Sequence, residues 1–177
     1  MNITLKNSLK NNFIILLSAF GKYILLLLFP LLNIYINNTY IIIIITTLIA
    51  IDVLPALYLQ IEYNIVSSGC VIHLVDDYKF VINKLSKEVR NINFDDIELI
   101  ILYPSSTEVI SSIINPKYAV DSYHYMRIIT KSKEEFIITN MMYPNLFKLF
   151  DYFKNIKNLK VRTVHDFFNS VYKNKRF

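Results

Sequence analysis

The hydrophobic run from Phe13 to Leu59 is broken by charge at only two positions, Lys22 and Asp52. It divides into two windows, Phe13 to Leu32 and Tyr40 to Leu59. Each has about the twenty residues a helix needs to cross a hydrocarbon layer ~30 Å thick. Between them Asn33, Asn37 and Asn38 stand in an uncharged segment of turn formers. The pattern predicts an N-terminal region 1–59 made of a short tail and a transmembrane helical hairpin, its helices at about 13–34 and 39–59. A cleaved signal peptide competes for the first window, because Lys6 and Lys10 precede it. The length of the apolar stretch, the second span directly after it and the lack of a small-x-small site argue for retention.

Beyond Ala56 the period shortens to two. In Leu57 to Val66, Leu57, Leu59, Ile61, Tyr63 and Ile65 alternate with mainly polar positions, which predicts a half-buried strand ended by Ser67, Ser68 and Gly69. Further strands are expected at Cys70 to Val75, Tyr78 to Lys84, Glu88 to Phe94, Ile97 to Tyr103, Val120 to Thr130 and Glu134 to Thr139. Asp76-Asp77, Leu85 to Lys87, Asp95-Asp96 and Lys131 to Lys133 supply turns, and the Ser-rich stretch Pro104 to Pro116 reads as a mobile loop. From Leu146 the period changes again. Leu146, Leu149, Phe150, Phe153 and Ile156 recur at helical spacing, with Pro144 suited to the first turn, so one amphipathic helix closes the domain. The expected fold class is an α+β membrane protein: the hairpin, then a small antiparallel β-barrel or sandwich over 57–157 capped by a C-terminal helix, then a basic amphipathic tail over 158–177.

Lys22 lies as far before Asn37 as Asp52 lies after it, so a straight hairpin carries both charges at one depth and an intramembrane ion pair follows. A central Lys or Asp costs ~2.5–3.5 kcal/mol on insertion and each Leu, Ile or Phe returns ~0.3–0.6, so the fourteen such residues in the first window outweigh its lysine. The pair has three readings: a proton or ion relay, a lock on hairpin register, or two side chains reaching for the interface. Few other polar groups lie near it, chiefly Ser18, Thr46 and Thr47, which favours the structural readings. Positive flanks at Lys6 and Lys10, an uncharged loop and a Lys- and Arg-rich C-terminal part place both termini in the cytoplasm, hence in the inner membrane of a cell that has two.

The stretches IEYNIVSSGCVIHL, NINFDDIELI and MRIITKSKEEFIITNMMYPNLFKLFDYF give a strand, a Ser-Gly turn and a strand, then a strand running into an Asp-Ile step, then a hairpin leading into a helix. From Leu57 to Ile156 this order resembles the bacterial pleckstrin-homology-like (PH-like) domains found on small membrane proteins. The resemblance implies a strongly bent seven-stranded barrel with a closing helix, which in that fold serves as a binding or assembly module.

Charge and chemistry change the picture in one place. Residues 154–177 hold Lys154, Lys157, Lys160, Arg162, Lys173, Lys175 and Arg176 against Asp166 alone, an excess above the +5 of the whole chain. Thr163 and Asp166 resemble a capping pair before the apolar stripe Val164, Phe167, Phe168 and Val171. A short basic helix there suits anionic headgroups, each cation adding ~1 kcal/mol; the alternative is a tail folded on its own domain. Lys157, Lys160, Arg162, Lys173, Lys175 and Arg176 are therefore the candidate membrane-surface or partner-binding residues.

No catalytic constellation accompanies them. His73, His124 and His165 are far apart, the one cysteine, Cys70, excludes an internal disulfide, and two glycines, Gly21 and Gly69, make no phosphate loop. Neither cofactor nor metal is expected, and the basic tail carries no nucleic-acid motif. The expectation is a non-enzymatic membrane protein that displays a PH-like module to protein partners, to itself or to the membrane surface. The alternative is a small oligomeric transport or immunity-type protein using Lys22 and Asp52.

Overall fold

The computed structural model describes residues 3–27, 39–75, 79–84, 89–104, 119–165 and 168–172. A strand, β1 (Ile3–Lys6), comes before the first helix, α1 (Leu9–Leu27). The second helix, α2 (Thr39–Ser67), leads to β2 (Cys70–Val75), β3 (Lys79–Lys84) and β4 (Val89–Asn93). After a 3-10 turn at Phe94–Asp96 come β5 (Ile97–Tyr103), a second 3-10 turn at Ala119–Ser122, β6 (Tyr125–Thr130), β7 (Glu135–Thr139), α3 (Leu146–Lys154) and β8 (Val161–Thr163).

Two four-stranded sheets result, in the orders β1-β2-β3-β4 and β7-β6-β5-β8. Every pairing is antiparallel except β5 with β8. The molecule is a mixed α+β structure with small sheets, and among the described residues they do not close into a barrel. Between the sheets lies one core, built from Leu5, Ile72 and Leu74 on one side and Ile100, Met126 and Ile128 on the other. The amphipathic face of α3 seals it with Leu146, Leu149, Phe150 and Phe153, as its helical spacing predicts.

Three elements differ from the sequence reading. Leu57 to Val66 is not a strand: α2 runs on to Ser67, eight residues past the expected end at Leu59. Its apparent alternation comes from Gln60, Glu62 and Asn64, whereas Leu59, Tyr63 and Ser67 recur at helical spacing and are buried on one face. The helix stops where Gly69 takes φ 70°, a left-handed conformation that glycine adopts without a Cβ clash, while Ser68 N donates to Asn64 O at 2.8 Å.

The N-terminal tail is in part β1. Ile3 pairs with Leu74 and Lys6 with Val71, Leu5 is fully buried, and Thr4 Oγ1 lies 3.0 Å from Nδ1 of His73. The tail after Lys160 contains no helix among its described residues. Val161–Thr163 instead adds a parallel strand to β5, continued by Val164 N donating to Leu102 O at 2.9 Å. Backbone pairing along an open sheet edge outweighs the apolar stripe of a very short helix.

Two further expectations meet different outcomes. The Lys131 to Lys133 hairpin forms between β6 and β7, with Lys133 at φ 64° and Glu134 N bonded to Thr130 Oγ1 at 3.0 Å. The expected strand at Val120 to Thr130 begins as the 3-10 turn and becomes extended only at Tyr125. The hairpin loop, the Asp76-Asp77 and Leu85 to Lys87 turns and the Pro104 to Pro116 loop lie outside the described residues, apart from Pro104.

Candidate functional site

Helix α2 is the one described helix long and apolar enough to cross a membrane. At 1.5 Å per residue its 29 residues extend ~43 Å, more than a ~30 Å hydrocarbon layer requires. Its N-terminal part is exposed at Tyr40, Ile41, Ile43, Ile44 and Leu48. Its C-terminal half buries Ala56, Leu59 and Tyr63 against the outer face of the β5-β6-β7 sheet. Helix α1 contributes Ile15, Ala19 and Tyr23 to the same contact, and Ala119, Val120, Tyr123, Tyr125 and Met141 meet them from the domain. The two helices and the sheet domain therefore share a second core.

That core is aromatic at its centre. The Tyr63 ring meets Tyr123 edge-on at 5.5 Å and Tyr125 at 6.1 Å, and Tyr125 stacks on Tyr103 at 4.4 Å. Tyrosine brings a polar tip into such a place, and the tip needs a partner. Tyr63 Oη donates to the Asn169 carbonyl at 2.8 Å, and Tyr123 Oη donates to Gln60 Oε1 at 2.7 Å. Burial pushes the Tyr123 hydroxyl well above its ordinary range, so it remains a donor. Asn169 Nδ2 donates to the carbonyls of Pro104 and Tyr123, both at 2.9 Å. The buried carboxylate of Glu62 accepts from Ser170 Oγ at 3.0 Å and Tyr172 N at 2.6 Å. The C-terminal segment is thus fastened to the end of α2.

Higher on the hairpin, Asp52 Oδ1 accepts from Ala119 N at 2.9 Å and Ser18 Oγ lies 3.2 Å from Ser122 Oγ. Lower down, Ser67 Oγ and Thr139 Oγ1 are 2.6 Å apart, and Asn11 Nδ2 donates to Met141 O at 3.0 Å. These bonds tie α1 and α2 to the sheet domain at several points along their length.

Asp52 is oriented by the 3-10 turn of the domain, roughly 20 Å along α2 from Thr39. Lys22 lies on α1, and its side chain falls outside the described residues, as do Lys173, Lys175 and Arg176. Of the polar neighbours of the pair, Ser18 meets Ser122 and Thr47 turns back to Ile43 O at 2.7 Å, so these hydroxyls do not converge on one point. Lys157, Lys160 and Arg162 are exposed, in the turn after α3 and along β8 at the edge of its sheet. Cations on an edge strand also discourage pairing with another chain.

Sequence reasoning missed the Glu62, Tyr63, Tyr123 and Asn169 network. Its one signal was Glu62, an acid inside an otherwise apolar helix face. His73 is a strand residue held by Thr4, and His124 is buried with its ring 5.1 Å from Phe147. No family model matches the chain, and neither a search of curated proteins nor a search of solved structures finds a match.

Proposed function

We propose that this chain is a non-enzymatic, two-pass protein of the cytoplasmic membrane that holds a PH-like binding and assembly module rigidly against the inner face, with both termini in the cytoplasm. The observation that carries this reading is the pairing of β1 with β2. These strands stand immediately before α1 and immediately after α2, so the chain leaves the sheet, runs through the two apolar helices and returns to the neighbouring position in the same sheet. A chain that crossed only once could not bring those strands together without passing its polar domain through lipid.

Two sheets with α3 sealing one end support the PH-like part, with β2–β4 and β5–β7 as its strands and the hairpin inserted ahead of them. The fastening of Glu62, Tyr63 and Asp52 to the domain fixes the module's orientation on its anchor. Exposed Lys157, Lys160 and Arg162 give it a basic surface for an anionic partner or for headgroups.

Alkaline carbonate extraction of membranes from cells producing the full chain tests the anchor. Retention in the pellet is expected, and release into the supernatant refutes it. Pull-down from the same membranes, comparing the chain with a Lys157→Glu, Lys160→Glu, Arg162→Glu variant, tests the surface. Loss of co-purifying protein or anionic lipid is expected, and identical recovery assigns those cations to solubility alone.

A further inference from the structure

We propose that the domain does not stop at the membrane surface: its Ala119–Ser122 turn is inserted into the cytoplasmic leaflet, about 10 Å inside the hydrocarbon boundary, an inference that rests on the two-pass reading above. The length of the hairpin calls for it. Ser18 on α1 and Asp52 on α2 are both bonded to this turn, and 33 residues separate them. With none of those residues spent on the bend, the two arms reach ~25 Å past the turn; with the uncharged segment 33–38 set in the far interface, they reach ~20 Å. The hydrocarbon layer is ~30 Å thick. The difference is made up on the cytoplasmic side by about seven more residues of each helix, alongside the domain. The edge of the layer then falls at Asn11 and Asn12 on α1 and at Leu59 on α2.

The chain changes character at that edge and not at the turn. Between Leu48 and Leu59 the exposed side chains of α2 are Leu48, Ile51, Leu54, Leu57 and Tyr58. Leu16 and Leu17 are exposed on α1 beside Ser18. Side chains that belong in water begin at the edge itself. Lys10 is exposed, Asn11 Nδ2 donates to Met141 O at 3.0 Å, and Asn12 Nδ2 donates to Asn64 Oδ1 at 3.0 Å.

The turn itself is made for a medium without water. Irregular backbone is tolerated at hydrocarbon depth only where protein covers it and its polar groups are bonded. Ala119, Val120, Asp121 and Tyr123 are all buried. Ala119 N donates to Asp52 Oδ1, Tyr123 N donates to Val120 O at 3.1 Å, and Ser122 O accepts from Asn140 Nδ2 at 2.7 Å. The Ser18 and Ser122 hydroxyls bond to each other. Thinning the bilayer down to the turn instead would cost free energy for every ångström of mismatch. Inserting a turn whose polar groups are already paired avoids that cost, and acyl chains meet the apolar helix faces on either side of it.

Power-saturation electron paramagnetic resonance of the full chain in vesicles of phosphatidylcholine and phosphatidylglycerol tests the depth. In a Cys70→Ala background, spin labels on Leu17→Cys and Leu54→Cys, level with the turn, and on Ser122→Cys, within it, are compared with two references. Leu48→Cys lies farther into the span and Lys157→Cys on the exposed surface of the domain. Relaxation by oxygen, which concentrates in hydrocarbon, is expected to exceed relaxation by a water-soluble nickel chelate several-fold at Leu17, Leu54 and Ser122, as at Leu48, with the reverse at Lys157. Leu17 and Leu54 are exposed on their helices, so their labels report the level even where Ser122→Cys disturbs the turn. Nickel relaxation at Leu17 and Leu54 with oxygen relaxation at Leu48 overturns the insertion and leaves the anchor standing. Nickel relaxation at Ser122 alone overturns it as well, the domain side of the hairpin then being wet. Nickel relaxation at every position, Leu48 included, overturns the anchored reading and the insertion with it.

Discussion

Tyr63 sits where the hairpin and the sheet domain meet, and its ring and hydroxyl contribute separately. The hydroxyl makes one buried bond, to the Asn169 carbonyl. Tyr63→Phe is expected to cost about 1 kcal/mol, whereas Tyr63→Ala, which also empties the space between Tyr123 and Tyr125, is expected to cost roughly 3–5 kcal/mol. Denaturant titration in detergent micelles checks both. His124 adds a dependence on pH. Burial lowers its imidazole from 6.5 to about 4. The unfolded chain therefore takes up this proton near pH 6.5 and the folded chain only near pH 4, so between those values the unfolded state binds more protons. Stability from this group is full above about pH 6.5 and falls with the pH through that window, by roughly 3 kcal/mol in all. The stability of the wild-type chain relative to a His124→Phe variant is expected to fall as the pH drops from about 6.5 to about 4 and to be constant above that window; a constant offset from pH 4 to 8 contradicts the assignment.

Among the elements, β1 does the most for its length. Four residues carry fully buried Leu5 into the core between the sheets and cover the edge of β2. Leu5→Ala is expected to destabilise by about 2–5 kcal/mol and to speed hydrogen exchange at the β2 amides more than at β6. Unchanged exchange in β2 would mean that the strand is not held there. The Ile3 to Lys6 alternation is visible in the sequence, but a four-residue strand far along the chain from its partner has no local signal strong enough to claim it. The converse holds for Leu57 to Val66, where polar residues that a helix places on its flanks and on its buried face mimic a period of two. Helix α3 is legible because one face is dry and the other wet, which writes its period into the residue types, whereas β5 and β6, buried on both faces, are legible as short apolar runs bounded by turn residues. The C-terminal segment was not. Its role depends on Asn169 and Ser170, whose partners on α2 and on the chain around Pro104 and Tyr123 are remote in sequence. The basic side chains were legible as charge, but their placement at a sheet edge was not.

At the scale of the whole molecule, two apolar helices leave one edge of a sheet and come back to it, and the domain is bonded to them from Asn11 to Ser67. Lys22 and Asp52 looked like an isolated pair in the sequence. In the fold the Asp52 carboxylate instead accepts from Ala119 N, joining α2 to the 3-10 turn of the domain. The two-pass arrangement with a common side for both ends is the claim on which the proposed function depends. Its most direct test is cysteine accessibility in intact spheroplasts, in a Cys70→Ala background, using a membrane-impermeant maleimide on Asn37→Cys in the segment between the two helices and on Lys157→Cys in the domain. Labelling of Asn37→Cys from outside, with Lys157→Cys labelled only after permeabilisation, is the expected result. Labelling of both positions from the same side contradicts it.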